Sequence, residues 1–170
     1  MKKLKNQKGF TLTEMLSCII ALLLLTAICT MGTDLALNSY NRSLFESNSQ
    51  MLESTLNTYF GDIVRHATFE LDDEQKVKTI TNSIYKLRKG RVGISDEGRI
   101  LIYKNESDTT GVLLLNEKVY TNALKVSSFE LQYNVDENGQ YITVLYTIES
   151  TVVEGLTKEC EFEYRLATTY

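Results

Sequence analysis

The chain has 170 residues, with 18 Lys+Arg against 22 Asp+Glu, one His, three Cys and neither Pro nor Trp. At 43% hydrophobic and 24% charged it holds the material for one packed core of ordinary size, which excludes disordered, collagenous and Pro-rich classes and, with three cysteines, a disulfide framework. The net charge of −4 argues against a dedicated nucleic-acid binder and is unevenly spread: Lys2, Lys3, Lys5 and Lys8 stand in the first eight residues without an acid, so the remainder carries −8.

After this basic start comes Lys8-Gly9-Phe10-Thr11-Leu12-Thr13-Glu14, and then residues 15–33, nineteen positions with no charged side chain. As a helix those nineteen span about 28 Å, close to the ~30 Å hydrocarbon core of a bilayer. A soluble helix keeps a polar face, whereas residues 19–25 are apolar all round, so the segment reads as a membrane span. Lysines before it and an acidic excess after it put the N-terminus in the cytoplasm and the rest of the chain outside. Cleavage behind the span is disfavoured. Thr30-Met31-Gly32 is a poor secretory site, Cys29 follows the bulky Ile28, and Cys18 comes too early for a lipoprotein signal.

A basic leader, Gly9, Phe10, Glu14 and an uninterrupted apolar run, in that order, resemble the class III leader of type IV prepilins and pseudopilins. The resemblance covers about the first 33 residues. It implies a cut by a membrane prepilin peptidase between Gly9 and Phe10, methylation of the new Phe10 amine, and retention of the apolar helix in a mature chain of 161 residues. It also implies partners: other pilin or pseudopilin subunits and a membrane assembly platform. Glu14 has a physical reason to seek one of them, because a charge near the bilayer centre costs roughly 2.5 to 3.5 kcal/mol. In an unassembled subunit it is hydrated near the interface; in a bundle it pairs with the Phe10 amine of the next subunit, largely cancelling both charges and setting register.

Beyond Asp34 the pattern turns amphipathic. Leu37, Tyr40, Leu44, Met51, Leu52, Leu56, Tyr59, Phe60 and Ile63 recur mostly at three, four and seven, predicting one buried stripe on a helix that runs from residue 10 to about 67. Such a helix is about 87 Å long, far more than one membrane crossing. No proline interrupts it, and Gly32 and Gly61 are its only soft points. The resemblance implies that its front half packs in a filament core while its rear half lies on a globular head.

From about Phe69 the period becomes two. Phe129, Leu131, Tyr133 and Val135 alternate with polar residues, Asp136-Glu137-Asn138-Gly139 supplies a turn, and Ile142, Val144, Tyr146 and Ile148 alternate again: a hairpin. Cys160, Phe162, Tyr164 and Leu166 alternate with Glu159, Glu161, Glu163 and Arg165, a half-buried strand with an acidic outer face. Residues 92–95 and 99–103 flank Asp96-Glu97-Gly98 as another hairpin, residues 112–115 and 118–120 suggest a short one, and 77–87 reads as a strand. The expected fold is α+β, a long N-terminal helix packed on an antiparallel head, divided as leader 1–9, membrane half 10–33, amphipathic half 34–68 and β-rich head 69–170. The order of the last strands looks like that of the larger minor pseudopilins of the J or W type.

Little in the chain suggests catalysis. His66, the one histidine, falls at the expected helix end, and it pairs with no Ser-Asp or Cys arrangement. Cys18 and Cys29 share a face inside the span, and Cys160 points inward without a partner in the head. The acidic clusters Asp72-Asp73-Glu74, Asp96-Glu97 and Asp136-Glu137 are turn chemistry rather than an EF-hand loop, and no metal or cofactor is expected. One run departs from the background: Lys76, Lys78, Lys86, Arg88, Lys89 and Arg91 stand between residues 75 and 95 with no acid among them. A solvated face is the ordinary reading of such a run. Two functional readings compete with it: docking on the acidic face of a neighbouring subunit, or contact with DNA, which lacks a stacking aromatic array beyond Tyr85. For the whole chain the expected role is a minor pilin or pseudopilin of a type IV pilus, type II secretion or competence-like filament. The alternative is a single-pass anchored adhesin or ligand-binding head that does not polymerise.

Overall fold

The computed structural model describes residues 11–72, 76–120, 123–137 and 139–166. They divide into two units, residues 1–41 and residues 42–170, joined within one helix, α1 (Leu12–Arg65). In the first unit residues 11–40 are all exposed, with Leu22 to Leu25 each more than half accessible. The hydroxyls of this stretch are nonetheless satisfied by the helix itself. Ser17 donates to Thr13 O, Thr26 to Leu23 O, Thr30 to Thr26 O and Thr33 to Cys29 O, all at 2.8 to 2.9 Å. A hydroxyl bonded to its own backbone asks nothing of its surroundings, so these polar residues leave the apolar run compatible with hydrocarbon. This is the one helix long and apolar enough to cross a membrane among the described residues.

In the second unit the rear of α1 buries Phe45, Ser49, Leu52, Leu56, Phe60, Gly61, Ile63 and Val64, at the three and four spacing of a single face. This corrects the predicted stripe. Leu52, Leu56, Phe60 and Ile63 are inside, but Leu37, Tyr40, Leu44, Met51 and Tyr59 are exposed. Successive residues stand about 100° apart around a helix, so Leu44 and Met51, each one position before a buried residue, fall off the covered arc. The helix also ends two residues earlier than expected, and β1 begins at Ala67.

Among the described residues eight strands follow: β1 (Ala67–Leu71), β2 (Val77–Asn82), β3 (Leu87–Ile94), β4 (Ile100–Tyr103) and β5 (Val112–Leu113) form one antiparallel sheet in chain order. β6 (Leu124–Asp136), β7 (Gly139–Ser150) and β8 (Thr157–Arg165) form a second. The β6–β7 hairpin has the predicted alternation, with Phe129 opposite Tyr146, Leu131 opposite Val144 and Tyr133 opposite Ile142. Gly139 closes it at φ 128. β8 carries Cys160 and Phe162 opposite Tyr146 and Val144 on the inner face and leaves Glu159, Glu161 and Glu163 exposed.

Two predicted strands are cut short by asparagine side chains. Asn82 Oδ1 accepts from Ile84 N–H and Tyr85 N–H at 2.9 and 3.2 Å, turning the chain through Lys86 at φ 55, so residues 77–87 form β2, a turn and the first residue of β3. The same amide donates to Ile63 O at 2.7 Å and so satisfies a carbonyl of the last turn of α1. Asn116 Oδ1 accepts from Lys118 N–H, and residues 118–120, predicted as a strand, lie instead in a single 3-10 turn, Glu117–Tyr120. That turn buries Tyr120, whose hydroxyl accepts from Ile100 N–H at 3.0 Å.

The core joins the rear of α1 and the inner face of β6–β8 with Ile80, Leu87, Ile100 and Ile102 of the first sheet. Phe60 stacks on Phe129 at 5.2 Å between centroids and approaches Tyr146 at 6.5 Å, and Tyr146 stacks on Phe162 at 6.2 Å. Polar ties border it: Tyr164 donates to Asn57 O at 2.9 Å, and Lys158 pairs with Glu53. The β3–β4 turn docks on β6, where Val126 N–H donates to Gly98 O at 2.9 Å. Gly98 has φ +72, and a Cβ there would sit 2.5 Å from Lys125 Cβ and 3.0 Å from Val126 O. Gly98→Ala is therefore expected to destabilise the fold by about 2 kcal/mol or more, adding a left-handed backbone cost to a clash that neither strand can relieve cheaply. Urea unfolding of the full chain in detergent, followed by near-ultraviolet circular dichroism, measures it.

Candidate functional site

Of the N-terminal motif the structure describes Thr11 onward; Lys2, Lys3, Lys5, Lys8, Gly9 and Phe10 lie outside the described residues. At the start of α1, Thr11 and Glu14 form a reciprocal pair. Thr11 N–H donates to Glu14 Oε2 at 2.9 Å, Thr11 Oγ1 donates to the same oxygen at 2.9 Å, and Glu14 N–H donates to Thr11 Oγ1 at 3.3 Å. Met15 N–H reaches Thr11 O at 3.1 Å as the first intrahelical bond. This is a capping box, Thr at the cap and Glu three residues on, and it satisfies backbone donors that a helix start otherwise leaves unpaired. Thr11 was not singled out in the sequence, although Thr-x-x-Glu ahead of an apolar run is the signature of such a box.

Chemically the arrangement fixes one carboxylate at the first turn of an exposed apolar helix. One oxygen, Oε2, is held by Thr11, and Oε1 makes no hydrogen bond among the described residues. A carboxylate so placed can accept a second donor, such as an amine, without giving up its cap.

The other residues singled out in the sequence give no reactive constellation. Cys18 and Cys29 are exposed on the apolar helix and are free thiols. Cys160 is buried, and burial pushes its thiol up to about 11, which leaves it protonated and unreactive at neutral pH. Burial likewise raises Tyr164 to about 12 and holds Tyr146 protonated. His66 is exposed in the turn after α1. Asp136, one of the acidic turn residues, receives a bidentate Arg165 at 2.9 and 3.1 Å, while Asp73, Glu74 and Asn138 lie outside the described residues. Among the described residues no three His, Cys, Asp or Glu side chains converge.

The basic run is divided rather than gathered. Lys76 pairs with Glu130 at 3.2 Å and Lys89 with Glu70 at 2.9 Å. Glu70 holds the Lys89 ammonium above its usual range, and the hydrogen bonds from Lys89 and Thr79 hold Glu70 below the usual carboxylate range. Arg91 lies 4.4 Å over the Tyr103 ring. Lys78, Lys86 and Arg88 are exposed and have no ion pair among the described residues. Acidic neighbours from β1 and β6, distant in sequence, account for this break-up. No protein-family model, no curated protein and no solved structure matches the chain.

Proposed function

We propose that the chain is a minor pilin or pseudopilin, a structural subunit of a type IV pilus, type II secretion or competence-like filament. The observation that carries this reading is the motif Gly9-Phe10-Thr11-Leu12-Thr13-Glu14, preceded by lysines and followed without interruption by the apolar front of α1. An antiparallel β head packed on the rear of the same helix supports it. In this reading a prepilin peptidase removes residues 1–9 on the cytoplasmic side, the Phe10 amine is methylated, and the membrane assembly platform draws the subunit into a filament through helix packing. Glu14 accepts the Phe10 amine of the adjacent subunit through Oε1 while Thr11 keeps Oε2.

Processing is the direct test. Gly9→Val is expected to block removal of the nine-residue leader, so that intact-mass spectrometry of the membrane fraction finds the 170-residue chain where the wild type yields 161 residues. A wild-type N-terminus in that variant would sink the reading.

A further inference from the structure

The second sheet has a free edge that nothing in the assembly reading uses. β6 pairs with β7 on one side only. On the other, among the described residues, its backbone is tied near its start, where Arg99 donates to Leu124 O and Val126 N–H to Gly98 O, and at Gln132 through an isolated bridge to Lys76. Between these ties, residues 127–131 have no strand partner on that side among the described residues. A cleft of about 320 Å³ lies there, against β2 and β3. Ile80, Val92, Phe129 and Leu131 supply its apolar wall, and Lys78 and Arg91 stand at its rim.

We propose that this cleft binds an extended peptide segment of a partner protein, one that alternates acidic and apolar residues and adds to β6 as a short extra strand. An edge strand offers a row of backbone donors and acceptors, and an extended chain is the ligand that satisfies them in series. Side chains of an added strand alternate in direction, so every second one faces the apolar wall. Charge selects the others. Lys78 has no ion pair among the described residues and Arg91 has only the Tyr103 ring, so carboxylates on the segment meet two available cations. The Lys76–Glu130 pair closes the far end of the cleft and marks where the segment stops. Glu130 and Asp72 also line the cleft, but Glu130 is paired with Lys76 and Asp72 accepts Lys76 N–H at 2.8 Å, which leaves Lys78 and Arg91 to the carboxylates of the segment. Nucleic acid fits less well, because the Phe129 ring is committed to stacking on Phe60 instead of facing outward as a base platform. The proposal is independent of filament assembly and stands or falls without it.

The test uses the full chain in detergent micelles and a fluorescein-labelled hexapeptide, EVEFEV, with KVKFKV as its counterpart. Saturable anisotropy is expected for the acidic peptide alone, weakened at least about tenfold by the double variant Lys78→Glu, Arg91→Glu, whose thermal midpoint checks that it is folded. Hydrogen exchange is expected to slow at residues 127–131 on binding, by about fivefold or more, and not at the free edges of β8 or β1. Equal binding of the lysine peptide, no binding at about 1 mM, or protection at another edge overturns the proposal. So does a duplex oligonucleotide that binds tighter than the peptide and is lost in the same variant, which would assign the cleft to nucleic acid.

Discussion

Glu14→Ala is expected to leave leader removal intact and to lower incorporation into filaments at least about tenfold, and Glu14→Gln is expected to fare no better. The pair of variants separates the capping role that Glu14 has in the structure from the pairing role proposed for the same side chain. As the third residue of a capping box, Glu14 stabilises the start of α1 through Thr11, a contribution of about 0.5 to 2 kcal/mol that glutamine can also make. As a charge partner for a neighbouring amine it cannot be replaced by glutamine, because the amine would then enter an apolar bundle uncompensated, at a cost several times larger. Quantifying the subunit in sheared filaments against the membrane fraction reads the outcome. Recovery of incorporation by Glu14→Gln would reduce Glu14 to a helix cap, and undiminished incorporation of Glu14→Ala would refute the pairing.

Phe60→Ala is expected to destabilise the head by about 3 to 5 kcal/mol, a large part of the stability of a domain this size. Phe60 is 1% exposed and its ring joins α1 to both β6 and β7 through Phe129 and Tyr146. Removing it leaves a void among aromatic rings that cannot close without moving the helix, and the better helix propensity of alanine returns only about 0.5 kcal/mol. Met51→Ala is the matching control. It sits beside the fully buried Leu52 in sequence but is 48% exposed, so the change is expected to stay within about 0.5 kcal/mol. Urea unfolding of the two variants measures both, and a large Met51 effect would return that residue to the buried stripe.

The contrast between Met51 and Leu52 marks how far the sequence could be read. Periodicity alone showed an amphipathic rear helix, but its apolar residues cover a wider arc than the sheet does, and only the sheet's position decides which of them are covered. The β6–β7 hairpin and β8 were legible in existence and alternation, because alternation and an Asn-Gly turn are local signals, although the strands extend beyond the predicted residues, β6 back to Leu124 and β8 back to Thr157. Residues 118–120 and the end of β2 were not, because asparagine side chains bend the backbone there and their partners lie in the turn itself and at the end of α1. The same holds for the candidate site. Glu14 stood out as a charge at the head of an apolar run, whereas the basic run looked like one patch until Glu70 and Glu130 were brought beside it.

By itself, then, the sequence determined these features that rest on neighbours along the chain: a basic start, the Gly9-Phe10 step, an apolar helix without proline, and strands whose alternation assigns Cys160 inward and Glu159, Glu161 and Glu163 outward. The tertiary structure alone decided what depends on surfaces meeting: which arc of α1 is buried, which cations of the run remain available, and that a stretch of β6, paired with β7 on one side, has no strand on the other among the described residues. Periodicity is set by local backbone geometry, one residue at a time. Burial and charge pairing are set by whatever the fold carries to within a few ångströms, and nothing in the local order of residues encodes that.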